Sequence, residues 1–131
     1  MTSKKPSILL VEDNKLVRKI SIILLEHLQC EVDAVTTGSL ALEHAEKIRY
    51  DLIFMDIGLP DVDGLSVIRH IRAHSKLNKG VPIITLTANS DKLYIQESFD
   101  VGATDFLVKP LNDYMSRLIL QKYATDYEVV I

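Results

Sequence analysis

Three acids, a hydroxyl and an ammonium have the types needed for joint chemistry: Glu12, Asp13, Asp56, Thr87 and Lys109. Carboxylates crowded into one place resist ionising together, because each raises the cost of charging the next. A bound cation removes that conflict. An all-oxygen set favours Mg²⁺, which keeps several waters and uses one or two carboxylates. A lysine beside them acts as a point charge toward a carboxylate or a phosphoryl oxygen. A nucleophilic carboxylate, a metal, a cation and a hydroxyl donor are the parts required to form an aspartyl phosphate. In such chemistry, position and charge balance supply most of the catalysis.

Each residue also has a plainer use on its own. Asp13 and Asn14 suit a helix cap, Asp56 a turn, Thr87 a strand and Lys109 a strand end. The two uses differ in whether the fold gathers the five groups. Five short apolar runs alternate with helical patterns: Ile8–Val11, Val32–Val35, Leu52–Met55, Ile83–Leu86 and Phe106–Val108. Their apolar residues are nearly continuous, which predicts strands covered on both faces. Between them, Val17, Ile20, Leu24 and Leu28 form one helical face, Leu42, Ala45 and Ile48 a second, and Leu65, Ile68 and Ile71 a third. Ser90–Val101 and Leu111–Lys122 supply two more, the former with the weakest pattern. Asn14 and Ser39 are expected caps, Gly38, Gly64, Gly80 and Gly102 fall at junctions, and Pro82 opens the fourth strand.

This alternation predicts an α/β fold: one five-stranded parallel sheet, order 2-1-3-4-5, flanked by five helices. In such a sheet ligands bind beyond the carboxyl ends of the strands, where strand order reverses. Glu12-Asp13, Asp56, Thr87 and Lys109 all fall at those ends, and no other polar cluster in the chain is so placed.

The 131 residues suit one domain, with 47% hydrophobic and 25% charged residues. We divide them into an N-terminal extension (1–6), a domain (7–123) and a tail (124–131). The net charge of −3 offers no basic stripe for nucleic acid. The lone Cys30 permits no internal disulfide and fits a reducing, cytoplasmic setting. No apolar run is long enough to span a bilayer, and no membrane contact is expected.

Other signals are weaker. His70 and His74 are spaced i, i+4, but Arg69, Arg72 and Lys76 mark a solvated basic helix end. Asp61-Val62-Asp63-Gly64 lacks the last acid of a calcium loop, where His70 falls, and reads as a turn into the third helix. A flavin carrier of this topology would need a phosphate-binding loop after the first strand, where Glu12-Asp13-Asn14 would repel a phosphate. A Mg²⁺-dependent aspartyl phosphatase remains an alternative, although the second acid expected two residues past its nucleophile is here Gly58.

The motifs resemble those of the receiver (response-regulator) family. Val11-Glu12-Asp13-Asn14 is similar to its acidic loop and Met55-Asp56-Ile57-Gly58-Leu59-Pro60, with Asp63-Gly64, to its phosphoacceptor loop. Thr85-Leu86-Thr87-Ala88 and Lys109-Pro110 match its two remaining motifs. The resemblance runs from about Ser7 to Tyr123, with all four motifs in order. It implies that Asp56 takes a phosphoryl group from a phosphohistidine on a histidine kinase or histidine phosphotransfer domain. It further implies Mg²⁺ held by Asp13, Asp56 and the Gly58 carbonyl, with Glu12 acting through water. Lys109 and Thr87 would contact the phosphoryl oxygens, and the bond before Pro110 would be cis. Phe106 would turn inward when Thr87 is drawn to the phosphoryl group, switching the face made by the fourth helix, fifth strand and fifth helix. The style of Leu10–Asn14 and Pro82–Asn89 is most similar to receivers of hybrid histidine kinases. A monomer or weak dimer is expected. Gly58 departs from the larger residue common there, which would leave the phosphoryl group open to water.

Overall fold

The computed structural model describes residues 5–88 and 92–124. Five parallel strands, β1 (Ser7–Val11), β2 (Glu31–Val35), β3 (Leu52–Asp56), β4 (Ile83–Thr87) and β5 (Asp105–Val108), form one sheet in the order β2-β1-β3-β4-β5, as the alternation predicts. The helices between and after them are α1 (Lys15–His27), α2 (Gly38–Lys47), α3 (Gly64–His74), α4 (Lys92–Asp100) and α5 (Asp113–Tyr123). Register places Val11 beside Met55, Asp56 beside Leu86 and Thr87 beside Val108. The functional ends of β1, β3, β4 and β5 are therefore side by side.

Two apolar layers hold this alignment. Ile8, Leu10, Leu52, Phe54 and Ile84 project to one face, against Leu25 and Leu28 at α1 and Ile119 and Leu120 of α5. Leu9, Val11, Ile53, Met55 and Ile83 project to the other, against Ala41 and Ala45 of α2 and Val67, Ile68 and Ile71 of α3. Each fully buried large side chain contributes about 1.5–3 kcal/mol. β3 and β4 are buried throughout, but the edge strand β2 alternates, with Glu31 and Asp33 exposed. Double-sided cover thus holds for the middle of the sheet and not for its edges, since Val108 of β5 is also exposed.

The observed elements correct several expectations. In α1, Ile20 is 50% exposed; Ser21 and Leu25 are the buried helical residues. The helix is apolar on most sides, so spacing alone does not choose a face, and the small Ser21 on the inner side hid the one used. Thr37, not Ser39, caps α2, its Oγ1 accepting from Leu40 N at 3.1 Å. Gly38 already lies in the helix there, backed so closely on Val67 and Val62 that a Cβ would come within 2.9 Å and 3.1 Å of them. Ile48 leaves the helical face because α2 ends at Lys47, and it is 40% exposed. α5 starts after its cap Asn112 rather than at Leu111, which is buried. Ser90, expected in α4, lies outside the described residues, as do 125–131 of the tail. Pro6, assigned to the extension, is buried and its carbonyl accepts from Glu31 N at 2.9 Å. Ala124, assigned to the tail, caps α5 and is buried in the core.

Candidate functional site

The site begins where the apolar layers stop. β1 runs directly into Glu12, whose side chain is wholly buried, whereas the next residue, Asp13, is exposed. Asn14 then caps α1, its side chain accepting from Val17 N at 3.0 Å. Arg18 reaches back to brace this turn, donating from Nη1 to the carbonyls of Glu12 and Asp13, both at 3.1 Å. Asp56 ends β3 nearly buried, and its Oδ1 accepts from Gly58 N at 3.1 Å. Gly64 follows closely: a Cβ there would meet the Asp56 carbonyl oxygen at 2.6 Å. Only glycine lets α3 start against the strand end that carries Asp56.

Lys109, the first residue past β5, closes the cluster. Its Nζ is 2.9 Å from Asp56 Oδ2 and 3.1 Å from Glu12 Oε1. The Lys109–Pro110 peptide is cis, and Lys109 N donates to the Thr87 carbonyl at 2.7 Å. Burial holds the Glu12 carboxyl above its usual range, opposed by hydrogen bonds from Asn14 N and Lys109 and reinforced by Asp56. Burial works against the Lys109 charge, but hydrogen bonds and attraction from Asp56 and Glu12 outweigh it and leave the ammonium raised.

Oxygens of Glu12, Asp13 and Asp56 lie within 4.8 Å of one another, and among the described residues they form the one such cluster of three potential metal ligands. Two of the three carboxylates, those of Glu12 and Asp56, share the Lys109 ammonium, and Glu12 is fully buried. The donor set is all oxygen and partly exposed through Asp13. That fits a small hard cation retaining water. A cleft of about 560 Å³ opens above it, lined by these groups and by Gly58, Thr87 and Tyr94.

The five chemistry-bearing residues predicted from sequence are all in this cleft wall. Phe106 is outside it, half-buried, with its ring edge-on to Phe99 of α4 at 6.4 Å between centroids and 87° between planes. His70 and His74 are exposed, their rings 4.8 Å apart. Sequence reasoning missed Tyr94, Arg18 and Asp61. The weak amphipathic pattern of α4 gave no reason to aim Tyr94 at the cleft. An arginine four residues past a cap was the available signal for Arg18. By sequence Asp61 fits turn chemistry, but its carboxylate reaches the first turn of α2.

A family model described as the response regulator receiver domain matches residues 8–120. The chain is 41% identical over 124 residues to the transcription factor SKN7 of Chaetomium thermophilum, covering 92% of this chain and 16% of that protein. It is 38% identical over 124 residues to hybrid signal transduction histidine kinase L of Dictyostelium discoideum, covering 91% of this chain and 7% of that protein. The chain therefore spans less than a quarter of either relative. Among solved structures, the receiver domain of the Pseudomonas aeruginosa sensor histidine kinase PA1611 aligns with a TM-score of 0.85 and 38% identity, covering 92% of this chain and 98% of that one. That structure has a magnesium ion coordinated in its active-site cleft. Among the described residues, no helix of the present chain is long and apolar enough to cross a membrane.

Proposed function

Because the chain belongs to the response-regulator receiver family of two-component signalling, we propose that it is a phosphorylation switch whose acceptor is Asp56. The donor is a phosphohistidine on a histidine kinase or histidine phosphotransfer domain. The observation that carries this reading is the Lys109 ammonium bridging Asp56 and Glu12 on the floor of an acidic cleft. A carboxylate oxygen of Asp56 attacks phosphorus, the phosphorus–nitrogen bond breaks, and the imidazole leaves with the electron pair and takes up a proton. Asp13, Asp56 and the Gly58 carbonyl would hold Mg²⁺, with Glu12 acting through water. When bound, the ion offsets negative charge on the transferring group.

The protein's own groups do the rest. Gly58 N fixes the Asp56 carboxylate through Oδ1. Lys109, already 2.9 Å from Oδ2, moves to a phosphoryl oxygen once that carboxylate is esterified. The Thr87 hydroxyl takes another. Thr87 and Lys109 are tied by the 2.7 Å hydrogen bond between their backbones, so the end of β4 moves with β5. Phe106 turning inward would give up its edge contact with Phe99 and so release α4. The output face is therefore α4, β5 and α5.

Transfer to Asp56 and hydrolysis of the product need no further catalyst in this reading, and the chain acts as a signalling domain rather than a turnover enzyme. The phosphatase alternative draws no support from the site, since position 58 is a glycine. The domain works in the cytoplasm as a monomer or weak dimer with no direct contact to nucleic acid or membrane.

Incubation with Mg²⁺ and a small-molecule phosphodonor, followed by intact mass, tests the assignment. One phosphoryl group should be added, dependent on Mg²⁺ and absent in Asp56→Asn. Addition that persists in that variant would refute Asp56 as the acceptor.

A further inference from the structure

Between the end of β3 at Asp56 and the start of α3 at Gly64, the chain makes a seven-residue loop over one wall of the cleft. Gly58 lies in it, exposed. A Cβ built there would meet only Asp56 Oδ1, at 4.0 Å. Ile57 and Leu59 on either side are held by the core, but Gly58 itself has no side chain to pack against a neighbour. Within the loop, Gly58 N donates to Asp56 Oδ1, and Leu59 N and Gly64 N both donate to the Ile57 carbonyl, all at 3.1 Å.

The strong external tie comes from Asp61. Its Oδ1 accepts from Gly38 N at 2.8 Å, and its Oδ2 accepts from Ser39 N at 3.1 Å and from Ser39 Oγ at 2.8 Å. Gly38 N and Ser39 N are first-turn donors of α2 that have no partner within the helix, and a carboxylate there also meets the positive end of the helix dipole. These contacts span more than twenty residues of sequence, so they are tertiary rather than part of a local turn. The Gly38 N–H bond holds the Asp61 carboxyl near pH 2, helped by the two Ser39 donors against a smaller opposing effect of burial. The acceptor thus stays charged across the working range of the protein. The close approach of Gly38 to Val62 and Val67 brings α2 near enough for the tie to form.

We propose that Asp61 is a positioning residue that ties the β3–α3 loop to the first turn of α2 and thereby sets the Mg²⁺ affinity of the cleft. This deepens the function proposed above and rests on it. Without the tie, the loop samples other conformations, and Mg²⁺ must order it before the Gly58 carbonyl can serve as a ligand. The cost then appears as weaker metal binding, while Asp56, Asp13 and Lys109 keep their places at the ends of β3, β1 and β5.

Isothermal titration of the purified protein with Mg²⁺ reads this directly, beside phosphorylation rates at limiting and saturating Mg²⁺. Asp61→Ala should weaken Mg²⁺ binding by about three- to tenfold, less than the ~10–100-fold typical of a group bonded straight to a metal ligand, because Asp61 acts at one remove. Asp61→Asn keeps one acceptor for Gly38 N and should fall between. Ser39→Ala removes one donor of three and should change the affinity by less than about twofold. The phosphorylation deficit should be largest at limiting Mg²⁺ and shrink at saturation, a split that a general loss of stability would not produce. A folded Asp61→Ala protein with wild-type Mg²⁺ affinity would overturn the proposal. If that variant fails to fold, Asp61→Asn decides on the same readout. Wild type that binds no Mg²⁺ would sink the function proposed above as well, whereas normal wild-type binding with unaltered variants sinks only the role of Asp61.

Discussion

Replacing Lys109 with methionine, which keeps the apolar stem and removes the charge, should destabilise the metal-free protein strongly near neutral pH. The ammonium sits 2.9 Å from Asp56 Oδ2 and 3.1 Å from Glu12 Oε1, with Glu12 wholly buried and Asp56 nearly so. Removing one side of a buried ion pair costs about 3–5 kcal/mol. The Lys109 side chain is 23% exposed and the cleft admits water, which lowers the expected loss to about 2–3 kcal/mol. For a chain of this size that is a fall in Tm of about 6–15 °C. The pH dependence follows from Glu12. Burial already holds its carboxyl above 4.5, and the variant loses a hydrogen bond that opposes the shift. A carboxyl raised in this way keeps its proton more firmly when folded. Its contribution to stability is present below the unfolded value and is lost as pH rises through the folded one. Lys109 itself is raised and stays protonated throughout this range, so it adds no slope to the wild type. The deficit of the variant should therefore be smaller at about pH 5 than at about pH 7, and Mg²⁺ should shrink it by supplying the missing cation. Melting followed by far-UV circular dichroism, at both pH values, with a chelator and then with Mg²⁺, measures all of this. A variant that melts with the wild type near neutral pH in chelator, or a deficit that grows on acidification, would refute the claim that Lys109 balances the buried acids.

Two further perturbations bear on the frame and on the phosphoryl lifetime. Asn78 is buried, donates to the carbonyls of Ala45 and Ile48 at 2.6 Å and 2.8 Å, and accepts from Tyr50 N at 2.9 Å; Asn78→Ala should cost about 2–4 kcal/mol by urea denaturation with an unchanged m-value, since it strands several buried groups at once. Gly58→Asn should change the dephosphorylation rate of phosphorylated protein followed by intact mass, because the open space at Gly58 leaves the approach to Asp56 unscreened; an unaltered rate would remove Gly58 from the account.

The sheet was legible because its middle strands are apolar on both faces, a pattern that only double cover explains. The site was legible because Glu12, Asp56, Thr87 and Lys109 each stop such a run with a polar group at the same end. Parallel order then makes those ends neighbours. What stayed hidden shares one cause: the information lies in contacts between distant segments. The inner face of α1 turns on Ser21, which carries almost no apolar signal of its own. The start of α2 depends on how near Gly38 can approach Val67, and the use of Asp61 depends on that same approach. Arg72 is a further case, its guanidinium donating to the carbonyls of Gly102 and Lys79 although its spacing resembled a solvated helix end.

The same arrangement explains why such a site strains its own fold. Apolar cover on both faces of the sheet ends where the strands end, so the first polar residues beyond it are partly inside a medium that resists their charge. Glu12 shows this most clearly, buried and held above its usual pKa range by that burial. A sequence selected only for stability would replace it with an apolar residue and leave Lys109 to water. Keeping Glu12 and Asp56 charged requires a cation at every stage. In the metal-free protein Lys109 is the cation in contact with both. A metal ion and then a phosphoryl group would each redistribute that demand, because each changes which oxygen Lys109 must satisfy. The proposed switch would then need no separate trigger. The charge conflict at the strand ends would be the stored drive, and the 2.7 Å link from Lys109 N to the Thr87 carbonyl would carry its resolution to β4 and β5.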